Sequence, residues 1–428
     1  MLMKTAETRL ANGLRIATAE VPGVESVAVG FWVGVGARHE PARLAGVSHF
    51  IEHLLFKGTR TRSAGEISRL IEGSGGYYNA FTQEESTCYY ARIAAEHTGT
   101  AVELLADLYR HPRFDPGEVR KERAVLVEET LMYQDQPQHL VQEMLGELLW
   151  VNHPLGRALI GTVDTVKRMT RADLLAFKRS RYVPGNTVVA LAGRVRHREC
   201  VDQVARWLGR LPRGVPCSCP PVTRRTRQKD VAVLSKDIEQ AQVAVGFRVF
   251  GRHHPARYAL KLLSVILGEN MSSRLFQTIR ERHGLAYSIH SGVQLFGDTG
   301  VLDVQAGLDA ARVPRALDLV VRELGRLREQ PVGAGELKRA KDYAIGQLRI
   351  GLEGPSNQMM WVGEHLQCYH RVIAPAEVLK RIEAVTAADI RGVARQALRR
   401  RRLSVAMVSP GDATRHTDAI RSSIGRLD

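Results

Sequence analysis

The chain has 428 residues, room for roughly two to four domains with cores that need no disulfide support. Its 44% hydrophobic and 25% charged residues exclude a disordered chain, five scattered cysteines exclude a secreted disulfide scaffold, and no run approaches the ~18 apolar residues of a membrane span. The net charge of +16 raises nucleic acid as a partner, but neither basic run, Arg224-Arg225-Thr226-Arg227 or Arg399 to Arg402, is interleaved with aromatics, so both read as solvated or interface faces with no nucleic-acid motif.

Met1 to Glu7 has no apolar core of the signal-peptide kind, and the expected location is cytoplasmic. Val27 to Val35 is rich in β-branched residues and predicts a strand. Gly46 to Phe56 carries apolar residues at helical spacing. Gly73-Ser74-Gly75-Gly76 lacks a following Gly-Lys-Ser/Thr, so it reads as a turn that brings backbone close to something, not as a phosphate cradle. Cys88 to Ile93 predicts a strand, and Glu118 to Tyr133 and Leu140 to Trp150 predict helices. After the turn signal Pro184-Gly185-Asn186, Thr187 to Leu191 reads as a short apolar strand. Pro212 to Lys229 is rich in Pro, Arg and Cys without hydrophobic period and reads as a linker; Cys217-x-Cys219 lacks a second ligand pair and is expected to be two linker thiols.

The chain repeats itself. Val27-Ala28-Val29-Gly30-Phe31 recurs as Val243-Ala244-Val245-Gly246-Phe247, an offset of 216. At the same offset Met169 to Leu174 recurs as Val385 to Ile390, and Thr187 to Ala192 as Leu403 to Val408. Three separated windows with one offset make the chain two copies of one domain. The division expected is 1–212, a linker 213–229, and 230–428. Strands interrupted by long helical segments predict an α+β fold, two homologous α/β sandwiches, each a mainly antiparallel sheet with helices over one face.

The sharpest local signal is His49-Phe50-Ile51-Glu52-His53. Residues four apart share a helix face, so His49 and His53 would project two imidazoles together, as zinc requires. Glu52, three residues from His49, would reach a water on such a metal without ligating it and act as general base. This is His-x-x-Glu-His, the inverse of the common zinc-peptidase order. The apolar neighbours Val47, Phe50, Ile51, Leu54 and Leu55 put the segment in a core, where paired histidines need a reason. A third ligand should come from Lys121 to Glu129. There Glu122 and Glu129 are two turns apart and share a face, while Glu128 points about 100° away; spacing alone does not choose between the two.

With Leu54-Leu55-Phe56-Lys57-Gly58-Thr59 after it, the motif resembles the pitrilysin-type zinc peptidases, closest to the branch of the mitochondrial processing peptidases and their bacterial relatives. Gly75 to Thr82, His153-Pro154-Leu155-Gly156-Arg157, Ile160-Gly161-Thr162, Ser272 to Phe276 and Arg280 to Tyr287 extend the similarity over roughly residues 5 to 410. That family places its glutamate ligand some 75 residues after the second histidine, and 75 residues separate His53 from Glu129. The resemblance therefore implies one zinc ion per chain on His49, His53 and Glu129, with Glu122 supporting the site by hydrogen bonding. It implies that Arg280 and Tyr287 hold substrate and polarise the scissile carbonyl, supplied by the other half of a clamshell. For a chain of this size that half would be a second subunit, here a homodimer partner.

Offset 216 carries His49, Glu52 and His53 onto Val265, Gly268 and Glu269; matching Glu118 to Glu336, at offset 218, carries Glu122 and Glu129 onto Ala340 and Gln347. The second copy is expected to keep the fold and hold no metal. Asn79, Ala80 and Phe81, with Thr82, are expected at a sheet edge that takes a peptide as an added strand, admitting unfolded polypeptide with little sequence demand. The expectation is a zinc endopeptidase without nucleic-acid or membrane partners. The alternative, a non-catalytic structural or partner subunit, is disfavoured by the intact metal motif.

Overall fold

The computed structural model describes residues 3–223 and 225–427; Met1, Leu2 and Arg224 of the first basic run lie outside the described residues, as does Asp428. Eleven strands are assigned among them, in two sheets.

The first sheet contains β1 (Lys4–Arg9), β2 (Arg15–Glu20), β3 (Ser26–Val33), β4 (Tyr77–Thr82), β5 (Thr87–Ala94) and β6 (Thr187–Gly193), in the order β1-β2-β6-β3-β5-β4. Every pairing is antiparallel except β2 with β6. The second contains β7 (Val231–Ser235), β8 (Ala241–Phe250), β9 (Ala286–Leu295), β10 (Thr299–Leu308) and β11 (Leu403–Ser409), in the order β7-β11-β8-β10-β9. Again one pair, β7 with β11, is parallel. The repeated sequence windows occupy matching places, since the two copies of Val-Ala-Val-Gly-Phe lie in β3 and β8, and β6 and β11 pair beside them. The two homologous sandwiches read from the sequence are present.

Helices cover both faces of each sheet, one more than expected. Strand alternation sends Val27, Val29, Phe31 and Val33 to one side, packed with the helices Val47–Leu55, Thr98–Arg110 and His197–Leu208. Ala28 and Trp32 face the other side, with Met359, Val362 and Leu366 of the helix Pro355–Tyr369. The second sheet repeats this: Val243, Val245 and Phe247 join the helices Arg257–Gly268, Val313–Glu329 and Ala387–Ala397, and Ala244 joins Val141, Leu145 and Leu148 of Pro137–Leu149. Covering on both sides explains why β6 and β11 are buried at every residue and read as unbroken apolar runs.

The repeated glycine marks the crossing point. A Cβ on Gly30 would stand 2.3 Å from Met359 Sδ, and one on Gly246 would stand 2.9 Å from Leu145 Cδ2. Each second-face helix rides on bare strand backbone there.

Compactness does not follow the contiguous division 1–212, 213–229 and 230–428. One unit is 1–131, 158–220 and 348–377; the other is 132–157, 221–347 and 378–428. Each copy thus contributes one helix to the other's sheet. The expected linker is itself divided, at Pro220 and Pro221. An amphipathic helix carries no label naming the sheet it covers, and for this reason the exchange is invisible to periodicity.

Candidate metal centre

The helix Val47–Leu55 turns Val47, Phe50, Ile51, Leu54 and Leu55 into the first core, leaving His49, Glu52 and His53 along the opposite edge. Its start is held firmly. Gly46 sits at φ 91°, and a Cβ there would meet Ile160 O at 2.3 Å. The buried Glu40 carboxylate accepts the N–H groups of Gly46 at 2.7 Å and Ser48 at 2.8 Å, satisfying two donors that a helix N-terminus otherwise leaves open.

The long helix Pro116–Asp135 supplies the acidic side. Glu129 Oε1 lies 3.8 Å from His49 Nε2, and its Oε2 lies 3.6 Å from His53 Nε2. One donor atom from each of the three residues falls within 4.8 Å of the others. Two ligands of a tetrahedral zinc, each about 2.0–2.1 Å from the ion, stand about 3.4 Å apart, so the set fits a small divalent cation with a fourth position open. Glu128, on the neighbouring face, is exposed. Glu122 is buried and differently engaged: its Oε2 lies 3.2 Å from His53 Nδ1, and its Oε1 accepts from Lys57 Nζ at 2.8 Å. A carboxylate on the far imidazole nitrogen fixes ring orientation and tautomer, leaving Nε2 for a metal.

The electrostatics suit metal ligation. His49 is 8% exposed, and burial, with His53 adding to it, lowers its pKa to about 3, so the ring is neutral and its lone pair available. Burial raises the Glu52 carboxyl; hydrogen bonding from Thr82 and the nearby His53 pull it back, and Glu129 pushes the same way as burial. Thr82 Oγ1 donates to Glu52 Oε2 at 2.6 Å.

Thr82 ends β4, the edge strand whose one partner is β5. Asn79, Ala80 and Phe81 all lie in β4. The Ala80 N–H is taken by Asn79 Oδ1 at 2.8 Å rather than by β5, so Ala80 offers its backbone to the open edge, with Tyr78 and Thr82 at the same alternation. Phe81 packs edge-on to Trp32, 5.4 Å between ring centroids. The glycine turn before β4 has Gly75 at φ 71°, and Gly76 lies against Arg92 O.

Arg280 and Tyr287 belong to the other unit, Arg280 near the end of the π-helical Phe276–Arg282 and Tyr287 in β9. The Arg280 guanidinium lies 5.4 Å from the Tyr287 ring centroid and 4.7 Å from that of Phe276. Tyr287 is 79% exposed.

The roles of three residues at the centre escaped the sequence reading. Lys57 had a signal, four residues after His53. Thr82 closes a glycine-led stretch already singled out. Glu40 lies six residues before Gly46, and nothing local marks it as the acid that caps this helix.

Two family descriptions match the chain: "Insulinase (Peptidase family M16)" over residues 15–163 and "Peptidase M16 inactive domain" over 168–343. An uncharacterized zinc protease of Mycobacterium tuberculosis is 38% identical, covering 98% of this chain and 96% of its own length. One of Bacillus subtilis is 34% identical over 93% of this chain and 97% of its own. In fold, a protease from Helicobacter pylori superposes with a TM-score of 0.88 at 23% identity, covering 96% of this chain and 100% of that one. No helix among the described residues is long and apolar enough to cross a membrane.

Proposed function

The chain belongs to peptidase family M16, the pitrilysin-type metallopeptidases, and from that premise we propose that it is a zinc endopeptidase of unfolded polypeptides, of the processing-peptidase-like branch, with its chemistry in the first copy. The observation that carries this is the convergence of His49, His53 and Glu129 donors within 4.8 Å beside Glu52.

His49, His53 and Glu129 would hold the zinc, which would supply Lewis acidity and bring the pKa of water to about 7. Glu52 accepts the proton that the attacking water gives up and returns it to the amine as the peptide bond breaks. The Thr82 hydroxyl occupies Glu52 Oε2, which orients the carboxylate and reserves its other oxygen for that exchange. Glu122, backed by Lys57, holds His53. The open edge of β4 binds the substrate backbone, with Asn79 releasing the Ala80 N–H to it. Thr82 thereby joins the strand that binds substrate to the group that moves the proton.

Arg280 and Tyr287 act on the scissile carbonyl of a partner chain in a homodimer, the phenol as hydrogen-bond donor to the developing oxyanion. The exposure of Tyr287 supports this reading, since a phenol used in trans must be reachable. Cys88 and Cys200, buried thiols with no disulfide, support a reducing compartment, the cytoplasm.

The test is metal analysis together with cleavage of a peptide library by the purified chain, with and without chelator. Zinc near one per chain and chelator-sensitive cleavage are expected. The Glu52→Gln chain should keep its metal and lose hydrolysis; cleavage at the wild-type rate would overturn the assignment.

A further inference from the structure

We propose that the second unit binds the C-terminal residue of a peptide, an apolar side chain with its free carboxylate, in a hollow lined by Val265 and Ala340, the repeat's counterparts of His49 and Glu122. It rests on the peptidase reading for its choice of a peptide as the ligand and goes beyond it in assigning a second binding site.

A cavity of about 400 Å³ lies between the helices Arg257–Gly268 and Ala334–Gly351. By the repeat, Val265 stands where His49 stands in the first copy, and Ala340 where Glu122 stands. Both line the cavity with Ile266, so the space of an imidazole and a carboxylate has become an apolar floor. Glu269, in the place of His53, is answered by Lys261 at 2.6 Å.

Two polar features keep the hollow from being a bare apolar dent. Ser273 lines it and is only 3% exposed, yet its Oγ has no hydrogen-bond partner among the described residues. A buried hydroxyl left without a partner is unfavourable, and a ligand oxygen in the cavity relieves it. Arg339 also lines the cavity, is exposed, and makes no ion pair among the described residues. The one acid lining the cavity, Glu336, accepts from Arg274 Nε and Nη2, at 2.8 and 2.7 Å. The charge left uncompensated at the cavity is therefore positive.

An apolar floor, a buried hydroxyl and a free guanidinium match a ligand that is apolar at one end and anionic at the other. The C-terminal residue of a peptide supplies both in one residue, its side chain to the floor and its α-carboxylate to Arg339, whereas an internal apolar residue would need an acidic neighbour to do the same. Met271, 68% exposed on the cavity wall, can fold its thioether over an apolar side chain.

The test uses the full-length Glu52→Gln chain, which should not consume the probe, and a fluorescein-labelled hexapeptide ending in leucine. Fluorescence anisotropy compares the free acid with the C-terminal amide. The acid should bind about three- to fivefold tighter, the scale of one rim-exposed charge pair. Arg339→Ala should erase that preference, and made in the wild-type chain it should leave zinc content and peptide hydrolysis unchanged. Ser273→Ala should weaken both probes about threefold, the scale of one hydrogen bond, and raise Tm by removing the unpartnered hydroxyl. Equal binding of acid and amide, or a preference that survives Arg339→Ala, overturns the pocket. These outcomes are read as binding, so loss of the peptidase assignment would leave the test intact.

Discussion

Two copies of one domain set a helix against the same kind of sheet, and they differ at all five positions of the polar cluster. In the first copy His49, Glu52, His53, Glu122 and Glu129 converge; in the second Val265, Gly268, Glu269, Ala340 and Gln347 stand at the matching places in the repeat. The second copy keeps its sheet order and its core without the polar cluster. The cluster is therefore no requirement of the architecture. Burying imidazole and carboxylate carries a desolvation cost, visible in the depressed pKa of His49 and the raised pKa of Glu52. A core that tolerates valine and alanine at these places has no structural use for that cost, and a metal-dependent reaction does.

The largest effect that would break this contrast is on chemistry. Glu52→Gln should lower kcat by about 10²–10⁴, the range for a general base, with zinc content unchanged by elemental analysis. A mixed dimer comes next. Glu52→Gln and Tyr287→Phe chains, each impaired alone, should recover activity on mixing if the two residues serve one site from different chains; no recovery argues against trans assembly.

Smaller effects sharpen the comparison. Glu122→Gln should weaken zinc by about 10–100-fold in a chelator competition, because the acid behind a ligand histidine sets its tautomer and basicity. Ala80→Pro removes an edge N–H and should raise KM and lower kcat severalfold, about 1 kcal/mol for one hydrogen bond, while zinc stays bound. The last compares the copies directly. Gly30→Ala and Gly246→Ala should each destabilise by about 1–3 kcal/mol through overpacking in urea unfolding. The pair compares how each neighbour gives way, the flexible Met359 at 2.3 Å and the branched Leu145 at 2.9 Å.

Much of this was legible in the residues. The strand and helix periods placed β3, β5, β6 and the helix Val47–Leu55 to within a residue or two, and the 216-residue offset announced the duplication. His49 and His53 followed from helical spacing. Glu129 did not, because Glu122 shares its face; what separates them is Lys57 and His53 Nδ1, which occupy Glu122, and helical spacing does not say which glutamate they take. Glu40 and Thr82 reach the site through chain connections that only the folded backbone makes. The exchange of helices was hidden for a related reason: Met359, Val362 and Leu366 show that their helix needs an apolar partner and are silent about which.

That exchange bears on how the protein is made. The helix Pro355–Tyr369 completes the first sheet, so a ribosome must release most of the 428 residues before Ala28 and Trp32 are shielded from water. Until then a nascent amino-terminal half exposes a greasy flank, the situation in which chaperones are needed and premature truncation products clump. Severing the gene at the interdomain segment should accordingly yield two insoluble pieces that become soluble when co-expressed.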